Sequence, residues 1–194
     1  MSNYLIPLMV VVPMLCAILV NAFAKFNKSI KVLTFVVAIC LPIIPLLSNY
    51  GLHFFGGYTP MLDNATGVIY HPAITYAFDM LQQIFIAAVG LITFLVAFIY
   101  LSKYKKASGQ YLFLLFMGTA SVTALMLTDD IFNMFVFFEI LALVQVGIVI
   151  ASPMDYSYEM ALKYMILGSI GSPIMLLGIG FLLASTGCLL YTSD

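Results

Sequence analysis

Charged residues are scarce in this sequence, and their scarcity excludes an ordinary soluble fold. Of the 194 residues, 64% are hydrophobic and 8% are charged, whereas a soluble domain carries about 25% charged residues. Arginine is absent, and the lysines nearly balance the acids, so the formal net charge is −1. That balance excludes the basic surface with which proteins attract nucleic acid. We therefore expect no nucleic-acid partner, and partners that lie in or on the lipid bilayer.

Residues that hold metals and cofactors are also few. Cys16, Cys40 and Cys188 lie far apart and form no C-x-x-C pair, which argues against a zinc site, an iron–sulfur cluster or a disulfide framework. The two histidines, His53 and His71, share one connection and have no third ligand, so they are a weak metal signal. We expect no cofactor and no metal, and any redox centre would belong to another subunit.

Long apolar runs make up most of what remains. A helix that spans a bilayer needs roughly 20 mainly apolar residues. Runs close to this length cover approximately residues 5–24, 32–47, 78–101, 111–127, 131–151 and 161–185. The sequence therefore predicts an all-α, polytopic bundle of about six transmembrane helices over residues 1–187.

The lysines predict how this bundle is oriented. Short loops rich in lysine stay on the cytoplasmic side of a membrane. Six of the lysines fall in the first and third connections, at 25–31 and 103–106, and six crossings place those connections on one side. We expect a multi-pass protein of the cell membrane with these two loops in the cytoplasm and the N-terminus outside.

Glu139 is the residue that most strongly indicates a function. It lies about ten residues inside the fifth apolar run, or roughly 15 Å deep at 1.5 Å per residue, near the bilayer centre. A charged side chain costs roughly 2.5 kcal/mol or more there, and such residues usually serve an ion path or a buried partner. Glu139 is therefore predicted to carry protons. The alternative is a neutral acid that only hydrogen-bonds to a neighbouring helix.

Four further polar residues could accompany Glu139. Lys163 is the one lysine outside the two lysine-rich loops, and it could relay charge or simply extend its side chain back to the interface. Gln145, Asn133 and Thr123 lie inside helices, where they could hold water along a proton path or form interhelical hydrogen bonds. Both interpretations stay open for each of them.

Glycines in the sixth run predict close helix packing. Gly168 and Ser172 have the spacing of the small-xxx-small motif, which lets helix backbones approach each other. We expect this face to pack tightly against a neighbour.

Two segments carry a resemblance to a known family. Residues 127–140 (LTDDIFNMFVFFEI) and 161–172 (ALKYMILGSIGS) resemble the antiporter-like proton-conducting subunits. These occur in respiratory complex I, in Mrp-type sodium/proton antiporters and in membrane-bound energy-converting hydrogenases. Residues 51–56 (GLHFFG) and 71–76 (HPAITY) look closest to the antiporter-like subunit of the methanogen energy-converting hydrogenase B.

The resemblance implies a role for particular residues. It assigns the channel acid to Glu139 and the accompanying lysine of the sixth helix to Lys163. It also implies that the chain is an N-terminal fragment of a fold of about fourteen helices built from inverted repeats, so that the main channel lysine lies beyond it. The last residues, 188–194, are similar to a translated sequencing adapter, and we expect them to be a non-native tail.

The sequence thus predicts a proton- or Na⁺-translocating, non-catalytic subunit of a membrane-bound redox complex, whose partners are other membrane subunits and the lipid bilayer. A stand-alone secondary ion transporter is one alternative, although the paired interrupted helices of such transporters are not evident. A passive membrane anchor is the other, and it would have no need of Glu139.

Overall fold

Helices dominate the computed structural model, which describes residues 5–23, 27–48, 51–55, 61–62, 69–70, 74–104, 108–151 and 156–186. Within these residues the helices are α1 Leu5–Ala22, α2 Asn27–Leu46, α3 Met80–Lys103, α4 Gly109–Leu127, α5 Ile131–Ile150 and α6 Ser157–Thr186. The predicted all-α architecture of about six helices is therefore confirmed. Helices α2 and α6 begin earlier than the apolar runs suggest, because their first turns contain polar residues that hydropathy does not mark.

The helices are built to lie in lipid. Helices α3, α4, α5 and α6 are each long and apolar enough to cross a membrane, and the apolar stretches Ile6–Ala22 and Ile30–Leu46 of α1 and α2 are shorter. Large apolar side chains such as Leu95, Ile99 and Phe181 are exposed on the helix surfaces. A helix satisfies its backbone hydrogen bonds internally, which is what the hydrocarbon core requires. The chain is a multi-pass membrane protein.

The connection between α2 and α3 forms two short antiparallel ladders. Strand β1 Gly51–Phe55 pairs with β4 Ile74–Phe78, and between them β2 Met61–Leu62 pairs with β3 Ile69–Tyr70. The apolar runs alone do not predict these strands. Tyr76 of β4 also forms an isolated bridge with Thr128, at the turn between α4 and α5. The ladder is thereby tied to one end of the bundle.

Each helix packs against at least one other helix. Helix α1 lies against α4, α2 against α3, α4 against α5, and α5 against α6. Buried side chains from α1, β4, α3 and α4 form a core at the end of the bundle next to the ladder, and it consists of Ile6, Met9, Val10, Tyr76, Phe78, Ile86, Ala124 and Leu127. Helix α6 packs mainly on α5 and is exposed along most of its length.

Close glycine contacts in the described residues occur on α3 and α5. A Cβ added at Gly90 of α3 would lie 2.7 Å from the backbone nitrogen of Pro42 in α2, and one added at Gly147 would lie 2.8 Å from Cδ2 of Leu114. In contrast, a Cβ added at Gly168 or Gly171 would meet no atom of the described residues within 4 Å. The described residues therefore make no close contact at these two glycines, and tight packing of the α6 face stays a prediction.

Some sequence predictions concern residues that the structure does not describe. Lys25, Lys105, Lys106, His71 and the adapter-like tail 188–194 lie outside the described ranges.

Candidate functional site

Glu139 lies near the middle of the 20-residue helix α5. The start of this helix is fixed by Asp130, whose Oδ1 accepts a hydrogen bond of 2.8 Å from the Phe132 backbone N–H. This is the N-cap arrangement that satisfies a free backbone donor at a helix start. This cap defines where α5 begins, and Glu139 follows nine residues after Asp130.

A cavity of about 370 Å³ between α5 and α6 is lined by Glu139. The carboxylic side chain is half-buried. Gln145 of α5 lines the same cavity, as do Tyr164, Ser169 and Ser172 of α6. The structure therefore brings two of the predicted path residues, Glu139 and Gln145, to one cavity. It adds Tyr164 and Ser169, which the sequence does not single out because their direction depends on how α6 packs.

Lys163 does not line this cavity. Its Nζ donates a hydrogen bond to Glu159 Oε1 at 2.6 Å, one turn earlier on α6. The two side chains are 62% and 60% exposed. Glu159 was not among the residues predicted from the sequence, although a glutamate four residues before a lysine is the usual signal of such a pair on a helix.

The other two candidates lie apart from the cavity. Asn133 Nδ2 donates to the Thr128 hydroxyl at 2.9 Å, which ties the first turn of α5 to the preceding turn. Thr123 is buried in α4 and is not a lining residue of the Glu139 cavity. Of the five predicted path residues, Lys163, Asn133 and Thr123 are therefore not gathered around Glu139.

One polar contact inside the bundle joins α3 to α4. The hydroxyl oxygens of Thr93 and Thr119 lie 2.9 Å apart and are buried. Each hydroxyl is also 2.9 Å from a carbonyl oxygen of its own helix, Val89 O and Leu115 O respectively. Hydrogen bonds of this kind hold membrane helices together and are worth about 0.6 kcal/mol on average. This pair therefore has a structural role.

Comparison with known sequences gives relatives but no family model, since none matches this sequence. The chain is 40% identical over 187 residues to an uncharacterized protein of Methanocaldococcus jannaschii, covering 96% of this chain and 37% of that protein. It is 32% identical over 103 residues to a Na⁺/H⁺ antiporter subunit of Bacillus subtilis, covering 53% of this chain and 21% of that protein. The chain thus spans less than half the length of these relatives.

Solved membrane complexes contain the same fold. A chain of the Mrp complex from Dietzia sp. DQ12-45-1b matches with a TM-score of 0.81 and 21% identity, over 98% of this chain and 36% of that chain. A chain of the membrane-bound sulfane sulfur reductase, an archaeal respiratory membrane complex, matches with a TM-score of 0.77 and 23% identity, over 97% and 39% of the two chains.

These similarities define the fold as that of polytopic chains found in an Mrp complex and in an archaeal respiratory membrane complex. Together with the relative named as a Na⁺/H⁺ antiporter subunit, they show that the chain is similar to antiporter-like membrane subunits.

Proposed function

We propose that this chain belongs to a proton-translocating antiporter-like subunit of a membrane-bound complex, and that Glu139 carries the proton. The observation that supports this proposal best is the half-buried carboxylic acid in the middle of α5, which faces a cavity between two apolar helices. Ionisable groups in such positions are costly and usually functional. A passive anchor offers no reason to keep one there.

The chemistry of the cavity suits proton transfer. A carboxyl group can bind a proton from one direction and release it in another when water reaches it on both sides. The cavity has room for several water molecules, since one occupies about 30 Å³ in the liquid, and the amide of Gln145 and the hydroxyls of Ser169 and Ser172 offer hydrogen-bond partners. We propose that these groups order water between Glu139 and the α6 face.

Lys163 would act on this path from a distance. Because its ammonium pairs with Glu159 on the exposed side of α6, it would influence Glu139 through the local field and would not hold the translocated proton. Movement of the lysine from Glu159 toward the cavity would strengthen that influence. Its role would therefore be to tune the path.

The orientation and the partners belong to the same proposal. Lys31 Nζ lies 3.1 Å from the carbonyl oxygen of Tyr104, so the first and third connections share one end of the bundle. This supports the cytoplasmic assignment of both lysine-rich loops under the positive-inside rule. We infer other membrane subunits as partners, since the structural neighbours are parts of multisubunit complexes.

The type of complex and the translocated ion are proposed from the relatives. The resemblance of residues 51–56 and 71–76 to a methanogen hydrogenase component, together with the Methanocaldococcus jannaschii relative, favours a redox complex of the energy-converting hydrogenase type. The relative named as part of a Na⁺/H⁺ antiporter supports Na⁺ as a second candidate ion.

The test is ion translocation by the full-length protein in its complex with Glu139→Gln. Glutamine preserves size and hydrogen bonding but cannot carry a proton, so assembly should persist and translocation should fall sharply. Wild-type coupling in an assembled Glu139→Gln complex would contradict the proposal.

A further inference from the structure

A second cavity, of about 670 Å³, lies at the lysine-bearing end of the bundle, away from Glu139. We call it the Tyr100 cavity. It is open on one side and is lined by the end of α3 with Tyr100 and Lys103, the start of α4 with Tyr111, and the end of α5 with Ile148. Its volume falls in the range of small-molecule sites, which is about 300–1,000 Å³.

Lys103 brings a positive charge to the lining of the Tyr100 cavity. Lys103 Nζ lies over the ring of Tyr104, 5.8 Å from its centroid. Among the described residues that line the cavity, none is acidic, and the ion pair between Lys163 and Glu159 is on a different helix.

Lys31 and Lys103 differ in how their ammonium groups are used. Lys31 Nζ lies 3.1 Å from Tyr104 O and 3.5 Å from Leu101 O, so it binds the carbonyl end of α3. Cations in this position are favoured by the helix dipole. Lys103 has only the cation–π contact among the described residues, and its ammonium can therefore donate hydrogen bonds to an anion.

The aromatic wall of the cavity is already ordered. Tyr100 stacks on Tyr111 with ring centroids 4.4 Å apart and contacts Tyr104 at 4.9 Å. Its hydroxyl oxygen accepts a hydrogen bond of 2.9 Å from the Ser108 N–H, so the hydroxyl proton is still free to be donated. Below this polar rim, Val96, Ile99 and Ile148 make the wall apolar.

We propose that the Tyr100 cavity binds the phosphate head group of an anionic membrane phospholipid. Lys103 and the Tyr100 hydroxyl donate to the phosphate oxygens, and an acyl chain lies along the apolar wall. Basic pockets between transmembrane helices are known to hold anionic head groups, and tyrosines suit the interface because they are apolar with a polar tip. The free positive charge, the ordered aromatic rim and the apolar wall together favour a lipid over free phosphate.

The experiment is lipid retention measured by native mass spectrometry. Full-length protein is reconstituted in nanodiscs that contain equal amounts of phosphatidylglycerol and phosphatidylcholine, and the bound lipid is counted after release. We expect wild type to retain phosphatidylglycerol in preference to phosphatidylcholine. Lys103→Gln should lower phosphatidylglycerol retention about fivefold, which corresponds to about 1 kcal/mol for one lysine at a membrane surface.

Two variants complete the design. Lys103→Arg keeps the charge and should restore retention, whereas Lys163→Gln removes a lysine outside the cavity and should leave retention at the wild-type level. Equal loss in Lys103→Gln and Lys163→Gln, equal retention of the two lipids, or displacement of the lipid by inorganic phosphate alone would overturn the proposal. Crosslinking of a photoreactive residue placed at Ile99 to a neighbouring protein, with no lipid adduct, would also overturn it.

Discussion

The ammonium of Lys163 lies 2.6 Å from the carboxylate of Glu159, and Lys163 does not line the cavity that contains Glu139. The pair spans one turn of α6, and both side chains are more than half exposed. The ammonium of Lys163 is thus engaged by Glu159, which suits a residue that tunes the proton path and does not carry the proton.

The first prediction concerns this pair. In the full-length protein within its complex, Lys163→Ala should reduce ion translocation less than Glu139→Gln, because it removes a nearby charge and leaves the proton-carrying group in place. The measurement is the rate of pH change in inverted membrane vesicles. Glu159→Gln, which breaks the same pair, should produce a similarly small effect. A loss in Lys163→Ala equal to that in Glu139→Gln would mean that the lysine is itself essential for transfer.

The second prediction concerns the packing of α2 on α3. A Cβ at Gly90 would meet backbone atoms of Leu41 and Pro42 at 2.7–2.9 Å, and backbone cannot shift easily inside a helix pair. Gly90→Ala should therefore destabilise the protein by about 1–3 kcal/mol, as overpacking usually does.

Gly147→Ala is the matched control for Gly90→Ala. Its Cβ would meet only the side chain of Leu114, which can change rotamer, so the loss should be smaller. Thermal unfolding in detergent, measured on the full-length protein, checks the order of the two variants. Equal melting temperatures for Gly90→Ala and wild type would contradict the observed contact between α2 and α3.

Much of the fold could be predicted from the sequence, because a helix that crosses a bilayer must be long and apolar. The position of Glu139 within a helix likewise follows from counting residues. The ladder Gly51–Phe55 with Ile74–Phe78 could not be predicted in this way, since its strands are short and its pairing partners are distant in sequence.

The surroundings of Glu139 are harder to predict than its position within α5. Gln145 shares its cavity, whereas Asn133 and Thr123 do not, and only the packing of α6 on α5 decides this. The contact of Lys31 with the end of α3 also depends on tertiary structure. In contrast, the pairing of Lys163 with Glu159 is a local spacing that the sequence alone already contains.

The third prediction concerns orientation. In a background without native cysteines, a cysteine at Ser108 should react with a membrane-impermeant maleimide only from the cytoplasmic side, because this residue belongs to a lysine-rich connection. A cysteine at Asn64 should react only from outside. Labelling is measured in intact cells and in inverted vesicles. The reverse pattern would overturn the topology and move the Tyr100 cavity to the outer leaflet.

The central claim is that Glu139 holds the translocated proton. The most direct measurement is proton translocation by the assembled full-length complex in proteoliposomes, with and without a Na⁺ gradient, for wild type, Glu139→Asp and Glu139→Gln. We predict unchanged assembly in all three. Translocation should fall about tenfold or more for Glu139→Gln, or about 1.4 kcal/mol, and reach an intermediate rate for Glu139→Asp, which keeps the titratable group but withdraws it by one methylene. A fully assembled Glu139→Gln complex that translocates ions at the wild-type rate would contradict the claim and leave Glu139 as a packing residue.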